Sequence, residues 1–77
     1  MPTDHIKTRR KIRAIANIAD FNDLLDRSTL SDEDKILIRM HYIERKTLTY
    51  IADMFGYAES TIKYRHRMAL IKIGEIL

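Results

Sequence analysis

Two glycines and one proline are all the strong punctuation this chain carries. Hairpins and sheet corners draw on clusters of Gly, Pro, Asn and Asp, so Gly56, Gly74 and Pro2 leave a β fold with almost no turn chemistry. The apolar residues point the same way, recurring at spacings of three and four. The chain reads as all-α: residues 1–8 as a flexible basic N-terminus, and 9–77 as one bundle of about four helices. At 77 residues it holds one small core at most.

The first helix is expected over 9–26, with Ile12, Ile15, Ile18, Ala19, Phe21 and Leu25 on its apolar side. Ser31 followed by Asp32, Glu33 and Asp34 is a start signal. A serine cap accepts from an orphan N–H, and acids oppose the positive helix end. Ile36, Leu37, Met40 and Ile43 form one stripe of this second helix, with Ile38 and Tyr42 on another side, and the helix should end near 44–46. Thr47 caps a third helix whose buried side is Leu48, Ile51, Ala52 and Phe55. Gly56 stops it, because glycine takes the left-handed conformation without steric cost. A fourth helix follows over 59–73.

Two helices joined through a short glycine-bearing turn make a helix-turn-helix, here placed at 47–73. Ala52 is small enough for a close crossing, Tyr57 can plug the angle, and Ile62 faces back toward the preceding helix. At 100° per residue, Ile62, Ala69, Ile73 and Ile76 share one side of the last helix. Ser60, Lys63 and Arg67 share the opposite side, flanked by Glu59 and Tyr64. Arg65 and Lys72 lie on a flank suited to phosphate. His66 lies at the edge of the core face, and His41 is expected at the surface.

Three segments carry a family likeness: LSDEDKILIRMHY, then IADMFGYAESTIKYR, then RMALIKI. From Leu30 onward the chain resembles the C-terminal region of bacterial sigma factors that binds the promoter −35 element. Leu30, Ser31, Arg39, Tyr42, Ile51, Ala52, Gly56, Thr61, Ile62, Lys63, Arg65, Ala69 and Leu70 match that pattern. The resemblance implies a recognition helix in the major groove, with Glu59, Ser60, Lys63, Tyr64 and Arg67 facing bases. It assigns Thr47, Thr61 and Arg65 to backbone phosphates. Ala58 stands where the family usually has a Ser or Thr cap. Ile71, Ile76 and Leu77 replace positions that are often charged and, with Met68 and Leu70, make the helix end apolar nearly all round. Either the N-terminal helix or a second copy of the chain must cover it. Nothing resembles the other sigma regions, so the likeness is to small stand-alone regulators of phages and mobile elements.

The net charge of +3 is modest, but its distribution is uneven. Residues 7–13 carry five cations and no acid, and 60–72 carry four and no acid. Lys7, Arg10, Lys11 and Arg13 are therefore expected near a DNA backbone, on a free arm or on a helix. With no cysteine, no thiolate metal site or disulfide is available. No cofactor is expected, no nucleophile–base pair argues for an enzyme, and no apolar run is long enough for a membrane span. Without a secretory signal the expected compartment is the cytoplasm. The sequence thus points to a double-stranded DNA-binding transcription regulator, in which a homodimer would double the contacts. The alternatives are an adaptor that binds RNA polymerase or another protein, and a DNA-packaging or recombination accessory protein.

Overall fold

A computed structural model describes residues 2–15 and 17–76. Among them are five helices: α1 (Pro2–Ala14), α2 (Ile18–Arg27), α3 (Asp32–Tyr42), α4 (Leu48–Phe55) and α5 (Glu59–Gly74). The all-α reading holds, with one helix more than expected. Leu77 lies outside the described residues.

The extra helix arises at Asn17. This residue is extended (φ −132°, ψ 154°), and its side-chain oxygen accepts from the Asp20 N–H at 2.8 Å. Asparagine competes with helical backbone bonding from within a helix and serves it well from the cap. The expected helix over 9–26 is therefore two. The direction of the inward face changes across the joint: Ile12 is buried, Ile18 is 60% exposed, and Phe21, Leu24 and Leu25 are buried again. Backbone is helical from Pro2, ahead of the start near residue 9 read from the sequence. Its docking face begins early, because Thr8 as well as Ile12 is buried. Tertiary packing of such a face is what holds a short helix together.

The capping signals behave as read. Ser31 accepts from Asp34 N–H at 3.2 Å, and Thr47 accepts from Tyr50 N–H at 3.0 Å. The apolar stripe of α3 does not. Leu37, Ile38 and Met40 are buried while Ile36 is 44% exposed. Both α4 and α5 pack on α3, and that two-sided cover selects Leu37 and Ile38 from three consecutive apolar residues. The helix ends at Tyr42, before the expected 44–46. Arg45 adopts a left-handed conformation (φ 59°), and the Lys46 N–H closes the end on Met40 O at 2.9 Å.

The core gathers around α5. Leu24, Leu25, Leu37, Ile38, Ile51, Ile62, Leu70 and Ile73 are fully buried. The buried side of the C-terminal half of α5 is covered by α1, the first of the two covers considered. Ile71 and Met68 remain exposed. At the α1–α5 crossing, a Cβ on Gly74 would stand 2.9 Å from Thr8 Oγ1, so a side chain there would make the threonine hydroxyl shift.

Gly56 supplies the other special position. It has φ 73° and ψ 26°, with its N–H turned back on Ala52 O and Asp53 O. A Cβ there would meet nothing within 4 Å, so the demand is purely conformational. Gly56→Ala should cost about 1–2 kcal/mol. Gly56→Asn should cost less, since asparagine tolerates this region. Urea denaturation of both variants checks the order.

Candidate nucleic-acid interface

The turn at Gly56 sets α5 across α4, with Ile51, Ala52 and Ile62 sealing the angle between them. Tyr57 does not fill that angle as expected. It is 39% exposed, lies edge-on to Phe55 at 6.2 Å, and donates its hydroxyl to Glu33 Oε1 at 3.0 Å. The core plug is supplied by Ile62 and Ile51, leaving Tyr57 as an outer cover.

With Ile62, Ala69, Leu70 and Ile73 buried, the helical geometry turns Ser60, Lys63, Tyr64 and Arg67 to solvent. Tyr64 is the most open of the large apolar or aromatic residues there, at 62%. Glu59 and Thr61 are exposed on the first turn. All five residues expected to face bases are therefore exposed, Glu59 at the edge of α5 that meets α4. Glu59 is held there by Thr49 Oγ1, which donates at 2.8 Å, and by Lys63 Nζ at 3.4 Å. These two partners, the threonine first, hold its carboxyl below the ordinary range. Ala58 makes no side-chain cap, as its missing hydroxyl implied.

The phosphate set divides. Thr47 uses its oxygen as acceptor in the α4 cap, which leaves its hydroxyl hydrogen able to donate outward. Lys7, Arg10 and Lys11 are exposed on α1. Arg13 is exposed but stands 6.0 Å over the Tyr42 ring, and Lys72 is half-buried.

Arg65 makes contacts that its sequence position does not announce. Its Nε donates to Asp34 Oδ1 at 3.0 Å, a terminal nitrogen approaches the same oxygen at 2.8 Å, and the other pairs with Glu33. The guanidinium also lies 5.5 Å from the Tyr57 ring centroid. Two carboxylates of α3 thus engage three of the five guanidinium N–H donors. The residue fastens α5 to the start of α3.

Reading from sequence misses several participants. Arg9 reaches the Tyr42 hydroxyl, whose pKa is raised chiefly by burial, and Tyr42 Oη lies 2.9 Å from His66 Nε2. His66 is buried, and the half-buried His41 sets Nδ1 2.8 Å from Lys46 O. Thr49 and the Arg45–Lys46 pair carry no periodic signal. Only the adjacency of Arg45 and Lys46 to the Thr47 cap could have marked them.

A family model described as "Sigma-70, region 4" matches residues 28–74, more than half of the chain. The chain belongs to the sigma-70 region 4 family. No curated protein and no solved structure matches it significantly. Region 4 is a DNA-binding helix-turn-helix domain, and the match runs from Ser28 through α3, α4 and α5. Helices α1 and α2 precede it. Region 4 is not an enzymatic family, and in sigma factors it also contacts RNA polymerase. Among the described residues no His/Cys/Asp/Glu group could hold a metal ion, and no helix is long and apolar enough to cross a membrane.

The region 4 clamp has a pH signature. Hydrogen bonds from Arg65, then Tyr57, lower the Glu33 pKa from its ordinary 4.5. A depressed carboxylate stabilises the fold above its unfolded pKa, and that contribution disappears as pH falls through the lower folded value. Stability should therefore decline below 4.5, and Arg65→Met should flatten the decline while lowering stability at neutral pH. Urea midpoints at about pH 7 and about pH 3 for both proteins measure the difference.

Proposed function

We propose that this chain is a sequence-specific regulator of transcription that binds double-stranded DNA by laying α5 in the major groove. The observation that carries this reading is the outer face of α5. Ser60, Lys63, Tyr64 and Arg67 are open to solvent, while the neighbouring Arg65 is held back by Glu33 and Asp34. A recognition helix meets base edges through its N-terminal half. Lysine and arginine there can pair with guanine O6 and N7, and serine serves either base type. Thr47, Thr61, Lys72 and the α1 cations Lys7, Arg10, Lys11 and Arg13 supply phosphate contacts. Two copies on palindromic or tandem half-sites would double the footprint, and the setting is the cytoplasm of a bacterial or phage-infected cell.

A contact with polymerase is the second reading, and one observation favours it. A cleft of about 740 Å³ is lined by Ile12, Ile18, Phe21 and Ile43 together with Arg13, Arg45 and Lys46. An apolar floor beside cations suits a protein surface.

Binding-site selection followed by anisotropy titrations tests the lead. Lys63→Ala or Arg67→Ala should cost about 1–3 kcal/mol on the selected site and relax preference at one position. Replacing Arg10 and Lys11 together should weaken all sequences alike and reduce the salt slope by about one for each phosphate no longer neutralised. Retained affinity and specificity in both α5 variants would remove that helix as the reader. Polymerase capture without any DNA shift would favour the second reading.

A further inference from the structure

Glu59 is an odd residue to find on a face meant for a polyanion. It opens α5, and its carboxylate is anchored from two directions. Lys63 reaches it from the next turn at 3.4 Å, and Thr49 donates from the first turn of α4 at 2.8 Å. An exposed i,i+4 ion pair alone holds its members weakly. The hydroxyl from a second helix bridges the helix-turn-helix and fixes the carboxylate at the mouth between α4 and α5. As a carboxylate it is ionised and acceptor-only at neutral pH. The outer surface therefore presents a fixed acceptor beside a cationic donor.

We infer that Glu59 and Lys63 act as one reading unit for a C·G base pair, with Thr49 as the residue that positions the carboxylate. This rests on the reading of α5 as the major-groove helix. Across the groove a C·G pair presents the cytosine N4 amino donor, then the guanine O6 and N7 acceptors. Glu59 accepts from N4, and Lys63 donates to O6 and N7. Guanine or thymine opposite Glu59 would set its lone pairs against a carboxylate. Adenine offers a donor at N6, but N7 and the thymine O4 flank it, so the carboxylate would face two acceptors. An acid here weakens binding to every sequence through phosphate repulsion, and what it contributes is rejection of the wrong edge.

Site selection from random duplexes, using the full chain and the variants Glu59→Gln, Thr49→Val and Thr49→Ser, tests the unit. The wild type should show one C·G position. Glu59→Gln should shift that position toward A·T, since glutamine suits adenine N6 and N7, changing relative affinity about tenfold to a hundredfold. Thr49→Val should blunt discrimination there by about three- to tenfold, as for removal of one net hydrogen bond, and Thr49→Ser should restore it. Positions that respond to Arg67→Ala should not move. Thermal melting confirms that these surface variants fold. An unchanged site with Glu59→Gln, or equal broadening at all positions with Thr49→Val, would overturn the unit while leaving α5 as reader. A wild type that selects no sequence would overturn the reading of α5 itself, and this inference with it.

Discussion

One residue with positive φ decides where α5 points. Gly56 ends α4 in the left-handed conformation, and the Tyr57 N–H returns to Ala52 O at 3.0 Å. The chain then leaves α4 at an angle that packs Ile62 against Ile51 and Ala52. Everything on the outside of α5 follows from that inward choice. Once Ile62, Ala69 and Ile73 are fixed in the core, 100° per residue leaves Ser60, Tyr64 and Arg67 nowhere to go but outward.

Charge is sorted by the same packing. The acids that begin α3 complement its dipole and also neutralise Arg65, the cation of α5 that faces them. Tyr57 completes this cluster by donating to Glu33 and lying beneath the guanidinium. Lys63 is paired with Glu59, while among the described residues Arg67, Arg45, Lys46 and the exposed cations of α1 stand outside such ion pairs. A modest net charge of +3 is thereby spread unevenly over the surface.

Much of this was legible because it is local. Ser31, Thr47 and Gly56 announce helix ends through bonds spanning only a few residues. The outer face of α5 follows from helical periodicity once Ile62 is read as buried. The misses are nonlocal or concealed by accidental spacing. Ile12, Ile15 and Ile18 keep a helical interval across the Asn17 break, so periodicity alone runs through it. Ile36, Leu37 and Ile38 are consecutive, and only the positions of α4 and α5 decide which face inward. Arg65 finds its carboxylates more than thirty residues away, and no local pattern reports such a pairing.

The crossing of α1 over α5 at Gly74 and Thr8 has a further bearing on the charged surface. The two cationic helices meet there through small and apolar residues rather than through any charged one. A substituent at position 74 would press first on the Thr8 hydroxyl, one residue after Lys7 and two before Arg10. An uncharged contact, exposed at Gly74 and buried at Thr8, thus joins the end of α5 to the helix that carries the N-terminal cations.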